Sequence, residues 1–242
     1  MKQNCRHTPK YKSYLSLICV FLLIFSLLPR AAAETPTAPF RYLAIGNSIT
    51  WLPVSDSWWI ESGMAASAPE KDYVHLVTDY LNTQHNSVET SICLLVAWEV
   101  QSGDRSETLP MLDPFLEPQP DLITLQISEN AKLDRRFSKD YTALVRYIKE
   151  KCPHADIILV DDFWSDIKSV IKEKAARKLH LPFASLKLIR NDPAYQSAMG
   201  AVIYDSEGAA HEIDSHAVAI HPGDPGMAFI ANVIIQQLEK LK

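Results

Sequence analysis

Short apolar runs alternate with amphipathic stretches along most of this chain, and that alternation limits the fold more than any other feature. The runs are Arg41 to Ile45, Glu89 to Val96, Leu122 to Ile127, Ile157 to Val160 and the short pair Phe183-Ala184. Helical periodicity occupies Tyr73 to Thr83, Lys139 to Lys151, Ser165 to Leu179 and Pro225 to Leu238. Strands that are apolar almost throughout need cover on both faces, and parallel strands joined by right-handed helical crossovers provide it. The expected class is therefore α/β, a flavodoxin-like three-layer α/β/α sandwich around a five-stranded parallel sheet. Neither an internal repeat nor a low-complexity tract interrupts the pattern.

Ahead of the first run, Lys2, Arg6, Lys10 and Lys12 precede the apolar stretch Leu15 to Leu28, and Ala31-Ala32-Ala33 supplies small residues before Glu34. That is the pattern of an export signal peptide cleaved after Ala33. The stretch is shorter than the ~20 apolar residues of a membrane span. The expected organisation is a signal peptide over 1–33, a short linker over 34–39 and one domain over 40–242, exported to the periplasm or beyond with no stable membrane span. Without the leader, 19 basic residues face 29 acidic ones. Such a balance argues against nucleic acid or an anionic membrane as partner. Cys5 and Cys19 leave with the leader, while Cys93 and Cys152 remain. An oxidising compartment permits their pairing, but spacing alone does not establish it.

Two positions carry nucleophile chemistry. Gly46-Asn47-Ser48 closes the first apolar run, where a tight strand-to-helix turn would project the serine hydroxyl past the sheet edge. A serine there also suits helix capping, which is the plainer reading. Near the other end, His221-Pro222-Gly223-Asp224-Pro225-Gly226 precedes the last helical pattern, with Asp224 read as its N-cap and Pro225 in its first turn. A single histidine is more often structural than catalytic. In one parallel sheet, however, the loops at the carboxyl ends of the strands share a rim, and Ser48 and His221 would meet there.

At these residues the chain resembles the SGNH hydrolases, the GDSL esterase and lipase superfamily. Gly46-Asn47-Ser48-Ile49-Thr50 is similar to the first family block, with Asn47 where aspartate is usual. Ser128-Glu129-Asn130 is similar to the third block, so the resemblance implies that Asn130 is the oxyanion-hole asparagine. His221-Pro222 is similar to the last block and implies a catalytic histidine. The likeness extends from about Phe40 to the C-terminus. Gly63-Met64-Ala65-Ala66-Ser67, Asp72-Tyr73-Val74-His75, Trp98-Glu99 and Glu129-Asn130 also resemble a poorly characterised bacterial branch. The SGNH fold is the three-layer sandwich already expected.

The chain departs from the family pattern twice. Val218 stands where an aspartate usually orients the histidine, which leaves Asp214, Glu129, Glu99 or a backbone carbonyl near Val218 as partner, the carbonyl and Asp214 ranking first. Leu95-Val96-Ala97-Trp98-Glu99 occupies the second block, which usually supplies a glycine N–H; the amide of Ala97 or Trp98 would have to replace it. The implied activity is hydrolysis of a short acyl ester, acetyl above all, through an acyl-Ser48 intermediate, with no metal or organic cofactor. Trp51, Trp58, Trp59, Trp98 and Trp164 offer flat faces for a sugar, and Trp98, Glu129, Asn47, Trp58 and Glu99 are the candidate substrate-binding residues; core packing is the alternative for the indoles. An acylated carbohydrate or other small ester is the expected partner. A lipid or aryl esterase, an O-acyltransferase and an inactive carbohydrate-binding relative are the alternatives. The cluster from His211 to His216 matches no metal-ligand spacing.

Overall fold

The computed structural model describes residues 38–242; the leader expected over 1–33 lies outside them, as does most of the linker. Strands β1 (Phe40–Gly46), β2 (Val88–Leu94), β3 (Leu122–Gln126), β4 (Asp156–Val160) and β5 (Phe183–Ala184) are all parallel and lie in the order β2-β1-β3-β4-β5. This is the doubly wound order. The chain leaves β1 towards β2 on one side and returns to β3 on the other, so the crevice beyond the carboxyl end of β1 is the topological switch point, the usual ligand position in such sheets.

Residue alternation along the strands explains why both faces are covered. Leu43, Ile45, Ile123, Leu125 and Leu159 point to one face, where α3 (Phe137–Lys151) and α4 (Asp166–Leu179) add Tyr141, Leu144, Ile148, Ala175 and Ala176. Tyr42, Ala44, Leu122, Ile158 and Val160 point to the other. There α1 (Tyr73–Gln84) contributes Val74, Val77 and Leu81, and α6 (Asp224–Glu239) contributes Met227, Ile230 and Ile234. Cys93 and Cys152 are both buried and unpaired, and burial pushes the Cys93 thiol up to about 12.

Several local expectations are corrected. The second run ends as a strand at Leu94; Leu95 donates to the Gly46 carbonyl at 2.9 Å and the chain turns into the short helix α2 (Val96–Val100). Ser48 is followed by turns and an irregular excursion over 51–68 rather than by a helix, so it caps nothing. Gly223, not Asp224, is the N-cap of α6; the Asp224 carboxylate instead accepts from Ser67 N and Oγ at 2.8 and 2.7 Å. A 3-10 segment over Arg105–Phe115 and a hairpin of β6 (Val202–Tyr204) and β7 (Ala210–Glu212) have no counterpart in the sequence pattern.

The excursion and the hairpin pack on each other through a third apolar cluster of Trp58, Ile60, Ala65, Ile203, Ile213, Val218 and Ala219. Val218 and Ala219 belong to α5 (His216–Ala219), the last element before His221. The segment presenting the histidine therefore rests on the segment that leaves the serine.

The turn after β1 tolerates only glycine at its base. A Cβ on Gly46 would lie 1.8 Å from Thr50 Oγ1 and 2.5 Å from the Gln126 carbonyl oxygen. Gly46→Ala is expected to lower the unfolding free energy by about 3 kcal/mol in urea titration. Gly103→Ala meets no neighbouring atom and strains only a positive φ, so its loss should be about 1 kcal/mol. Equal losses would contradict this account of the turn.

Candidate active site

The Gly46-Asn47-Ser48 turn is built by Asn47. Its carbonyl accepts from Thr50 N at 2.9 Å and Trp51 N at 3.1 Å, and its Oδ1 accepts from Ile49 N at 3.0 Å. Side-chain and main-chain acceptors from one asparagine are the usual means of closing such a turn. The half-buried Ser48 projects beyond the sheet, and its own carbonyl is held by Met64 N at 2.8 Å.

His221 reaches this serine from the far end of the chain. Its Nε2 lies 3.1 Å from Ser48 Oγ, and its Nδ1 lies 2.8 Å from the carbonyl oxygen of Ala217 in α5. An Nδ1–H donated to a carbonyl leaves Nε2 unprotonated and able to accept the serine proton. The main chain on both sides is fixed, His221 N donating to the Val218 carbonyl and Ser197 N to the His221 carbonyl. The Trp164 indole meets the imidazole at 82° with centroids 5.0 Å apart, and its Nε1 donates to the Ile220 carbonyl. Burial lowers the His221 pKa to about 4, against the smaller opposing effect of the Ala217 and Val218 carbonyls. The imidazole is neutral above that pH. Asp214 does not take the partner position, which belongs to the Ala217 carbonyl.

Beneath the pair lies a second layer of buried carboxylates. Glu99, 1% exposed in α2, accepts from Ser128 N at 2.7 Å, Asn130 Nδ2 at 2.7 Å, Asn47 Nδ2 at 3.0 Å and Asn130 N at 3.3 Å. One carboxylate thus joins the β1 turn, α2 and the loop after β3. The second Asn47 Nδ2 hydrogen goes to Glu129 at 2.8 Å, and Glu129 also accepts from Gln126 Nε2 at 2.8 Å and Phe163 N at 3.2 Å. Burial first, then the nearby Asp162 charge, raises Glu129 to about 8.

These bonds correct most of the expected substrate-binding set. Asn47 and Glu99 are buried braces whose polar atoms face other protein groups, and Glu129 is engaged by the same network. Trp98 is fully buried against Phe137, Tyr141 and Arg105, and Trp58 is fully buried in the third apolar cluster. Neither indole is available to a ligand.

The loop carrying Asn130 departs from ordinary backbone geometry. Ser128 has φ 124°, a conformation that favours glycine. Its amide is fixed by Glu99 and its hydroxyl by Asp162 at 2.8 Å. From α4, Lys168 Nζ donates to the Ser128 and Glu129 carbonyls at 2.7 and 2.9 Å, and the fully buried Lys172 Nζ to the Ile127 carbonyl at 2.7 Å. The two lysines were not anticipated. Their signal was positional: they lie four apart on the face of α4 that also carries the buried Ala175 and Ala176.

Three N–H groups on the segments that carry Ser48, Glu99 and Asn130 remain without a protein acceptor. Among the described residues neither Ser48 N nor Ala97 N, in the first turn of α2, has a protein acceptor, whereas Trp98 N is engaged by the Leu95 carbonyl at 3.0 Å. Asn130, exposed at the rim, keeps one Nδ2 hydrogen after Glu99 takes the other. No group of three His, Cys, Asp or Glu side chains is placed to hold a metal among the described residues.

No protein-family model matches the chain, and no curated protein matches it. Solved structures do. A two-domain esterase active on acetylated mannans, co-crystallised with mannopentaose, is similar at 17% identity and a TM-score of 0.56, over 84% of this chain and 50% of that one. A second structure of such an esterase gives 19% identity and 0.54, over 84% and 49%. A tail fiber protein of an E. coli phage gives 13% and 0.51, over 84% and 27%. The chain thus spans about half the length of the mannan-active esterases it matches. At these identities the likeness establishes the fold alone, a three-layer α/β/α sandwich around a parallel sheet.

The Asn47–Glu99 bond gives a test of the lower layer that needs no substrate. Glu99→Gln sets amide against amide, and Asn47→Asp sets a carboxylate against the Glu99 carboxylate. Each should cost about 1–3 kcal/mol. Combined, they restore one amide–carboxylate pair with the charge moved to position 47, so the double variant should lose less than the sum in urea denaturation. Strictly additive losses would show that the two side chains do not act as a pair.

Proposed function

We propose that this chain is an exported serine esterase that removes acetyl or another short acyl group from a carbohydrate. The observation that carries the reading is the 3.1 Å contact of Ser48 Oγ with His221 Nε2, made by an imidazole whose other nitrogen is already held by a carbonyl. A hydroxyl paired with a neutral, oriented base beside three unengaged donors is the arrangement acyl transfer requires.

In the proposed reaction His221 Nε2 takes the Ser48 proton as Oγ bonds to the ester carbonyl carbon. The developing oxyanion is received by Ser48 N, Ala97 N and the free Asn130 Nδ2 hydrogen. Collapse breaks the bond to the leaving alkoxide, which takes the proton from the imidazolium. Water then enters by the same steps in reverse and frees Ser48. Ala217 fixes the tautomer and meets the imidazolium with a carbonyl dipole instead of a full negative charge, so the pair resembles a triad lacking its carboxylate.

The sugar preference is supported by the mannan-active esterases that share the fold, and export by the signal-like leader. Among the described residues no helix is long and apolar enough to cross a membrane. The acyl-Ser48 intermediate also admits transfer to a sugar hydroxyl in place of water, so an O-acyltransferase is the same chemistry with a different acceptor.

Hydrolysis of p-nitrophenyl acetate, butyrate and octanoate by residues 34–242 tests the reading. Acetate should be preferred, and Ser48→Ala and His221→Ala should each lower kcat by roughly 10³-fold or more. A folded protein no faster than its Ser48→Ala variant would refute it.

The low pKa of His221 gives a second test. The neutral base is the active form, so kcat/KM for acetate should hold through pH 6.5 and fall with a midpoint at about 4. Stability should fall over the same interval, because between 6.5 and about 4 the unfolded histidine binds a proton that the folded one does not. An acid limb centred at 6.5 or above would contradict the desolvated dyad.

A further inference from the structure

Of the indoles grouped after the nucleophile, Trp59 is the one set in the wall of a cleft. The cleft, about 410 Å³, lies between the excursion that follows Ser48 and the β6–β7 hairpin. Its size is within the ~300–1,000 Å³ of small-molecule sites. Trp59, Glu61 and Val54 form one side, and Tyr204, Asp205 and Ser206 the other.

Trp59 is held rigidly. Its ring stacks on His211 with centroids 4.8 Å apart and planes 11° from parallel, and His211 Nε2 is fixed by Asp205 Oδ2 at 2.8 Å. Asp205 is fixed in turn by Glu207 N and Ala209 N, each at 2.9 Å. One face of the indole is thereby covered. Tyr204 is 62% exposed across the cleft. Among the described residues, the Trp59 Nε1–H, the Glu61 carboxylate, the Tyr204 hydroxyl and the Ser206 hydroxyl have no protein hydrogen-bond partner. Preset aromatic planes interleaved with unengaged donors and acceptors suit a ligand with apolar C–H faces and a rim of hydroxyls. An acyl chain would leave the Glu61 and Asp205 carboxylates facing hydrocarbon, at a desolvation cost.

We propose that this cleft is a carbohydrate subsite, in which Trp59 and Tyr204 bracket a neutral sugar ring and Glu61 accepts from its hydroxyls. Its lining includes neither Ser48 nor His221, and it is linked to them through packing: Ile60, beside Trp59, and Ile203, beside Tyr204, share one apolar cluster with Val218 and Ala219, which lead into His221. The subsite deepens the esterase reading and rests on it for the acyl group, but glycan binding can be measured without turnover.

The test has two arms. Titration of residues 34–242 with mannopentaose, xylopentaose and cellopentaose should show saturable quenching of tryptophan fluorescence by at least one of them. Trp59→Ala and the exposed Tyr204→Ala should each weaken that binding at least tenfold, as read by calorimetry. On the acetylated form of the bound oligosaccharide, both variants should raise KM at least tenfold while leaving kcat/KM for p-nitrophenyl acetate within about twofold. Tyr204→Ala and Glu61→Gln keep the test alive if Trp59→Ala does not fold. Binding of none of the three pentaoses, binding unchanged in the variants, or saturable binding of choline chloride in their place would overturn the proposal. Loss of p-nitrophenyl acetate hydrolysis in the wild-type protein alone would instead refute the esterase reading, with the binding arm still deciding the subsite.

Discussion

The Glu99 carboxylate is the point on which the site's geometry depends. Four donors converge on it, from the turn after β1, from the strained residue after β3 and from Asn130 twice. A buried carboxylate is tolerated only where its oxygens are so satisfied, and its removal would leave those donors without acceptors in a closed interior. The β1 and β3 ends are brought close by parallel register, with Gly46 opposite Gln126. Glu99 converts that closeness into a fixed relation between Ser48 and Asn130. Where the resembled family has an aspartate in its first block, this chain has Asn47 paired with a carboxylate from α2, so a negative charge stays in the layer but comes from a different segment.

Above that layer the dyad is governed by desolvation. His221 is 9% exposed and has a carbonyl rather than a carboxylate on Nδ1. Burial disfavours the imidazolium and outweighs the carbonyl, which favours it less than a carboxylate would, so the imidazole stays neutral. A site of this kind gains a wide pH range of readiness and loses part of the charge stabilisation that a triad supplies. The carbonyl is held by the short helix bearing it, and α5 is anchored through Val218 and Ala219 on the excursion that follows Ser48. Val218 therefore has a packing role at the position where the resembled family usually has its acid.

Much of the sheet was legible because strand burial imposes a simple pattern. The runs of β1, β3 and β4 are apolar on both faces and were delimited to within a residue or two. Motif order placed Ser48, Asn130 and His221 together, since a doubly wound sheet gathers its carboxyl ends. Tertiary partners were the illegible part. Nothing local distinguishes the Ala217 carbonyl from any other, and Asp214 looked as suitable until the fold of α5 decided the distance. Trp98 and Trp58 have the same composition signal as Trp59, and only packing separates core indoles from the one in the cleft. Lys168 and Lys172 carry no local signal because their acceptors, the carbonyls of residues 127–129, lie about 40 residues away in sequence. The β6–β7 hairpin is too short, and too exposed at Val202 and Tyr204, to show a strand period.

The central claim is that Ser48 is made nucleophilic by a neutral His221 held by a backbone carbonyl. Reaction with a fluorophosphonate, followed by peptide mass spectrometry at pH 5 and pH 8, tests it most directly. The predicted result is a single adduct on Ser48 that forms at comparable rates at both pH values and is abolished in His221→Ala. No adduct on Ser48, or an adduct whose rate is indifferent to the histidine, would contradict it.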